Sequence, residues 1–168
     1  MSLSMHEASA AVFTRMLSAL SALLEKAEAH AASRKIEPEA LLGARLFPDM
    51  FSFTRQVQLT CDFAKLCCAR LSGTEAPKHE DKETTFQELK ARIAATLAFI
   101  ESMQGDQING TESKDVTLKI AGKDTKMKGR DYLLFFALPN FYFHATTAYD
   151  LLRHNGVEVG KRDFLGLA

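Results

Sequence analysis

Imidazole groups are the most versatile reactive side chains in this chain, because a histidine can bind a metal or transfer a proton near neutral pH. The sequence has five of them, and none falls in the second or third of the helical segments described below. There is no H-E-x-x-H motif, no C-x-x-C motif and no phosphate-binding glycine loop. The histidines are His6, His30, His79, His144 and His154.

Polar side chains recur every three or four residues along the last helical segment, beside its apolar face. Asn140, His144 and Thr147 belong to this row, which Leu151 and His154 continue. His154 lies in the last turn of that segment, where a cation complements the helix dipole, so we interpret it as structural. His144 is therefore the histidine best placed to face a cavity or the edge of the fold.

A comparable polar row on the second helical segment includes Asp49 and Gln56. If the two segments are neighbours, these groups converge with His144 near one end of the fold. His144 would then be a metal ligand or a general base, with Asn140, Asp49, Gln56 and Thr147 around it. The alternative is a semi-buried histidine whose hydrogen bond to the second segment specifies the helix register, since buried polar groups usually have structural partners. The residue pattern favours this structural interpretation.

The three cysteines, Cys61, Cys67 and Cys68, all lie in one short apolar-rich stretch. A disulfide between the two adjacent cysteines would be badly strained. Small buried thiols are common in proteins of reducing compartments. We therefore expect three free, buried thiols. A reactive cysteine would need an electropositive and partly open setting.

Four segments carry apolar residues at helical spacing, so they predict an antiparallel four-helix bundle around a common core. Thr85 and Glu88 form a capping-box pattern at the start of the third segment, and Gly73 and Gly156 supply stops after the second and fourth. We expect one all-α domain over residues 1–168. The segments are Ser4 to Ala32, Pro48 to Leu71, Thr85 to Gly105, and Pro139 to about Asn155.

The sequence changes period between the third and fourth helical segments. Residues 116–120 alternate apolar and polar side chains, and residues 122–124 supply turn chemistry. This pattern predicts a small β-hairpin inserted between helices three and four. A two-stranded hairpin is marginal alone, so it should lean on the helices or pair with another molecule. The tail, residues 157–168, should dock through Phe164 and ion pairs.

Size and charge limit the possible partners. The 168 residues are 46% apolar and 25% charged, which is typical of a folded globular domain that needs no disulfide or metal to hold its core. The 21 basic side chains balance the 21 acidic ones without a basic stripe, so nucleic acid is not an expected partner. No uninterrupted apolar run approaches about 20 residues and no leader pattern is visible, so we expect a cytoplasmic protein without membrane contact.

Six stretches, which together span nearly the whole chain, resemble an uncharacterised bacterial family of unknown function in the DinB/YfiT-like superfamily. The resemblance implies an up-down-down-up four-helix bundle that is frequently dimeric. It also implies relatives that hold a divalent metal ion through one histidine of helix two and two of helix four, some of them thiol-dependent transferases or isomerases. The stretches are Ala44 to Met50, Arg55 to Gln58, Cys61 to Lys65, Phe141 to Tyr149, Leu152 to Val157, and Gly160 to Phe164.

The metal-ligand pattern of those relatives is only partly present. Asn140 stands where the first histidine of helix four would be, and His144 matches the second. Helix two supplies no histidine. A divalent metal at His144 would therefore need Asp49 or Gln56 as a substitute ligand.

Two functions follow from these patterns. The first is a degenerate metal- or thiol-dependent small-molecule enzyme with His144 at its centre. The alternative is a non-catalytic binding or accessory protein that forms a homodimer. This alternative predicts aromatic side chains of which some are exposed in the monomer and buried between subunits. They are Phe135, Phe136, Phe141 and Phe143. The sequence specifies neither a substrate nor a reaction type.

Overall fold

Four long helices enclose one apolar core in the computed structural model, which describes residues 3–167. The predicted all-α class, with a hairpin between the third and fourth long helices, is confirmed. In chain order the elements are α1 (Val12–Arg34), α2 (Pro38–Leu42), α3 (Phe53–Ser72), α4 (Phe86–Glu101), α5 (Gly105–Ile108), β1 (Asp115–Ile120), β2 (Lys123–Lys128), α6 (Gly129–Tyr132), α7 (Leu138–His154) and α8 (Lys161–Phe164). Two π-helical turns, Glu7–Ala11 and Leu133–Ala137, directly precede α1 and α7.

Side-chain contacts give the relative directions of the four long helices. Two helices are antiparallel when the residue numbers of successive contacts increase along one helix and decrease along the other. They are parallel when the residue numbers increase along both. By this test α7 is antiparallel to α3, α1 is antiparallel to α4, and α3 is parallel to α4. The bundle is therefore up-down-down-up, as the family resemblance implied. For α3 and α7 the contacts are Gln56–His144 and Arg70–Tyr132. For α1 and α4 they are Glu28–Lys90 and the cleft between Ala10 and Ile100. For α3 and α4 they are Phe53–Phe86 and Asp62–Arg92.

The second long helix begins later than the sequence predicted. Ser52 is its N-cap, with the side-chain oxygen accepting from the backbone N–H of Arg55 at 3.5 Å, so α3 starts at Phe53. Residues 43–52 form exposed turns instead of an opening helical turn, and Asp49 lies among them. The capping box of Thr85 and Glu88 is present at the start of α4, as predicted.

The aromatic stretch before Pro139 is helical, so Pro139 does not open a new helix. The chain runs without a break from α6 through the π-helical turn into α7, and Pro139 is the second residue of α7. Proline has no N–H to donate to the preceding turn, and the wider π-helical turn lies where that bond would be missing. The Nδ2 group of Asn140 donates to the Phe136 carbonyl, within this π-helical turn, at 2.7 Å.

The hairpin leans on the helices through the inner face of β1. Val116 and Leu118 are buried, and Asp115 pairs with Lys128 at the open end of the hairpin. The turn lies one residue earlier than predicted, because Ala121 and Gly122 take φ values of 48° and 79°. Two consecutive positive φ values are the signature of a type I′ turn.

The tail docks as expected from its aromatic and charged residues. The Phe164 ring meets Tyr149 of α7 edge to face, with the centroids 5.7 Å apart. Asp163 forms an ion pair with Lys26 of α1 and accepts a hydrogen bond from the Gly160 N–H at 2.8 Å.

Within residues 3–167, one helix is long and apolar enough to cross a membrane by length and composition alone, namely Glu7–Arg34. Half of its most apolar stretch is buried in the bundle. The core helix of a soluble protein meets the same criteria.

Candidate functional site

His144 lies where α7 meets α3, as the polar residues spaced along the two helical segments predicted. Only 8% of the residue is exposed. Its Nδ1 atom is 2.7 Å from the Oε1 atom of Gln56. The Nε2 group of Gln56 donates to the Phe51 carbonyl at 3.3 Å, so Oε1 is the atom left to accept. Nδ1 of His144 therefore carries the proton. The Phe63 ring stacks on the imidazole with an interplanar angle of 16°.

The other ring nitrogen of His144, Nε2, opens toward solvent. No described residue forms a hydrogen bond to it. It is also absent from the buried polar atoms that lack a partner, which among the described residues are Nε of Arg92 and Oγ1 of Thr96. A buried imidazole with one fixed N–H and one open nitrogen can accept a proton or a hydrogen bond from a bound molecule.

His144 is uncharged at neutral pH. Burial disfavours the imidazolium form, and the positive charge of Arg55 acts in the same direction. Together they lower the pKa of His144 from its ordinary 6.5 to about 4. The lone pair of Nε2 is therefore available throughout the physiological range.

Of the four residues predicted to surround His144, Gln56 is the one that forms a hydrogen bond with it. Asn140 bonds the Phe136 carbonyl, and Thr147 donates from Oγ1 to the Phe143 carbonyl at 2.7 Å. Asp49 lies in the exposed turn before α3. The predicted polar row included Asp49, but Ser52 caps the helix, so α3 begins four residues after Asp49.

The residues around His144 do not fit a divalent metal ion. Within residues 3–167 there is no group of three or more histidine, cysteine, aspartate or glutamate side chains that could hold one. A protein zinc site uses three or four such ligands. His144 has instead committed Nδ1 to the neutral amide of Gln56.

The cysteines are free and buried, as expected. Burial raises the pKa of Cys61 and of Cys68 to about 12, and it raises that of Cys67 well above its ordinary value. A thiol attacks as the thiolate, so none of these side chains is a competent nucleophile in the folded protein.

The sequence analysis missed a charged cluster on the other side of α3. Arg92 is buried in α4 and pairs with Asp62 at 2.9 Å, Asp81 at 2.7 Å and Glu83 at 2.9 Å. Arg55 joins the cluster by donating to Asp81 at 2.7 Å. The sequence contained one indication of this cluster. Arg92 lies on the same helical face as buried apolar residues of α4, so its charge needs partners. We call these five residues the Arg92 cluster.

Comparison with known proteins shows the family and supports the fold. Residues 5–165 match the model of a family described as a domain of unknown function, DUF1993. A crystal structure of a DinB family member protein from Shewanella denitrificans is 42% identical, with 96% of this chain and 91% of that chain covered, and has a TM-score of 0.87. No curated protein matches this chain.

Proposed function

This chain belongs to the DUF1993 family and is a DinB-like protein, and we propose that it binds a small molecule at His144 without a metal ion. One observation carries the proposal. The Gln56 amide holds the neutral imidazole at Nδ1 and leaves Nε2 without a protein partner, on a ring that Phe63 stacks against and Phe143 meets edge to face. The hydrogen bond to Gln56 also suits a structural histidine, but a nitrogen that opens to solvent can exchange its water for a donor of a bound molecule.

Arg55 determines the charge of the ligand in this proposal. Its NH1 group contacts Gln58 and Asp81, while Nε and NH2 have no hydrogen-bond partner among residues 3–167. The free edge of a guanidinium group matches a carboxylate. The ligand is therefore a small anion that also offers a hydrogen-bond donor, such as a hydroxyl or thiol, to Nε2 of His144.

Nitrogen–proton NMR of the imidazole tests this proposal with four matched ligands. Thioglycolate and glycolate carry both groups, acetate lacks the donor, and mercaptoethanol lacks the carboxylate. We expect the two complete ligands to shift the Nε2 signal of His144 and to raise the melting temperature. Acetate and mercaptoethanol should do less. The same spectra should show a ring protonated at Nδ1 with a pKa near 4.

Three variants complete the test. His144→Gln should abolish the melting shift, whereas His154→Gln, an exposed histidine of the same helix, should leave it unchanged. Arg55→Gln should weaken the two complete ligands most. Equal responses to all four ligands, or a response that persists in His144→Gln, would exclude this site.

A second candidate function is a homodimeric accessory protein, and the outer face of α7 favours it. Residues 132–149 contain no charged residue. Phe135 is 70% exposed and Phe143 is 56% exposed, with Leu134 and Tyr142 beside them on the surface. Such an apolar stripe without charge is complementary to itself, which suits a two-fold interface between copies of this chain. Of the other aromatics predicted for such a surface, Phe141 is buried and Phe136 is partly buried.

Light scattering tests the dimer directly. We expect a dimer at micromolar concentration and a monomer for the double variant Phe135→Glu, Phe143→Glu. Ile120→Glu, at an exposed apolar position on the hairpin, should remain dimeric. A wild-type protein that stays monomeric at this concentration would rule out the interface.

A further inference from the structure

The connection between α3 and α4, which we call the strap (residues 74–84), has little length to spare. The two helices are parallel, so the strap must return along the length of α3, about 30 Å for its 20 residues. Its eleven residues reach about 36 Å when fully extended. It has no regular secondary structure and no buried residue. Apolar packing therefore does little to hold it in place.

Charged groups attach the strap to the bundle. Asp81 accepts from Arg55 and Arg92, each at 2.7 Å, and Glu83 accepts from Arg92 at 2.9 Å. The other oxygen of Glu83 accepts from Nε2 of Gln58 at 2.8 Å.

Closer to the far end of α3, Nδ1 of His79 accepts from the Lys65 ammonium group at 3.2 Å. Lys65 also pairs with Asp62 of its own helix at 3.0 Å. Every described attachment of these strap side chains is thus a hydrogen bond to a charged or polar group.

The surface beneath the strap is rich in positive charge. Arg55, Lys65 and Arg92 lie there, and Asp62 is the one carboxylate that the bundle itself supplies to them. With Asp81 and Glu83 of the strap, this surface carries three positive and three negative charges. Without the strap, three cations would face one carboxylate, and such a surface attracts anions.

We infer that this surface of α3 and α4 is a binding site for an extended acidic segment, and that the strap fills it within the same molecule through Asp81 and Glu83. The spacing of these two carboxylates defines what fits, namely acidic side chains two residues apart, the first at a residue that adopts a positive φ, which is 55° at Asp81. This inference does not depend on a ligand at His144.

Acid should release the strap. Burial tends to raise the pKa of Asp81 and of Glu83, but hydrogen bonds from the arginines outweigh it and hold both below their ordinary values. The attachment is therefore complete at neutral pH and is lost as the pH falls through those lowered values. His79 acts in the same direction, since burial and the charges of Lys65 and Arg92 lower its pKa against the opposite effect of Asp62 and Glu83. Once protonated, it repels these two cations.

Chemical labelling of Lys65 tests the release at constant neutral pH. The Lys65 side chain is buried, so an amine-reactive ester should acylate it slowly. We expect Asp81→Asn combined with Glu83→Gln to accelerate this acylation at least tenfold. Glu80→Gln should change nothing, because Glu80 pairs with the exposed Lys82.

A synthetic peptide copying residues 74–85 tests the binding site. It should bind the double variant, with an affinity that falls as salt rises, and bind the wild-type protein far more weakly. A peptide with Asn and Gln in place of the two carboxylates should not bind. Faster acylation without any peptide binding would refute the site, and unchanged acylation would refute the attachment.

Global unfolding of the double variant would expose the core cysteines to thiol reagents together with Lys65. If the double variant unfolds, the same acylation is measured on wild-type protein at increasing salt concentrations, because salt screens the attachment of an exposed strap. Lys65 must then react faster while the cysteines stay protected, or the inference fails.

Discussion

Replacement of Arg92 by methionine should destabilise the protein through the carboxylates that it leaves behind. Methionine keeps most of the packing volume but removes the cation from Asp62, Asp81 and Glu83. Removing one partner of a buried ion pair costs about 3–5 kcal/mol. The three carboxylates retain 22%, 37% and 14% side-chain exposure, so solvent screens part of their repulsion. We expect the free energy of unfolding to fall by about 2–3 kcal/mol at neutral pH.

Urea denaturation at several pH values measures this effect and its origin. Asp81 and Glu83 have lowered pKa values in the folded protein, so the stability they contribute is present above their unfolded values and is lost in acid. The difference between wild type and Arg92→Met should therefore shrink between about pH 5 and about pH 3. Arg130→Met, at an exposed pair with Asp131, should change stability by less than about 0.5 kcal/mol. A difference that is constant with pH would show that lost packing, not charge, is the cause.

Three further substitutions or reactions test the backbone and the core. Ala121→Asn should raise the free energy of unfolding by about 0.5–1 kcal/mol in thermal denaturation, because asparagine tolerates the positive φ of the type I′ turn better than alanine. Ala121→Val should lower the free energy of unfolding. Equal stabilities of the two variants would contradict the turn assignment. Gly129→Ala should destabilise by about 2 kcal/mol or more by the same measurement, since its Cβ would collide with the Thr111 carbonyl; an unchanged melting temperature would refute this close approach. All three cysteines should resist a disulfide reagent at mildly alkaline pH until urea unfolds the protein, and rapid native-state labelling of Cys61 would contradict its burial.

The π-helical turn before α7 shows where local reasoning stopped short. The sequence marked Pro139 as a helix start or kink, because proline cannot donate its backbone nitrogen. The structure keeps one continuous helix, since the packed aromatics Tyr132, Phe136 and Phe141 hold both sides of the turn against α3 and α1. Tertiary packing thus outweighed a strong local signal.

The candidate site was predicted in part. Helical spacing correctly placed His144 and Gln56 on facing sides of neighbouring helices. It also suggested Asp49, Asn140 and Thr147. Asp49 lies in a turn because Ser52 caps the helix after it, and the side chains of Asn140 and Thr147 form hydrogen bonds within their own helical segment. Spacing along one helix reports the direction of a side chain, but not whether a nearer backbone carbonyl takes its hydrogen bond.

The sequence by itself determined the four apolar faces, the hairpin, the buried thiols and the absence of helix-two histidines, because each depends on residue type and local period. Only the tertiary structure decided that Gln56 holds His144 through Nδ1 and that the strap returns across a buried Arg92. His144 is far from Gln56 in the chain, and the packing of α7 against α3 brings the two side chains together. The return of the strap follows from the parallel arrangement of α3 and α4, and no local pattern encodes either arrangement.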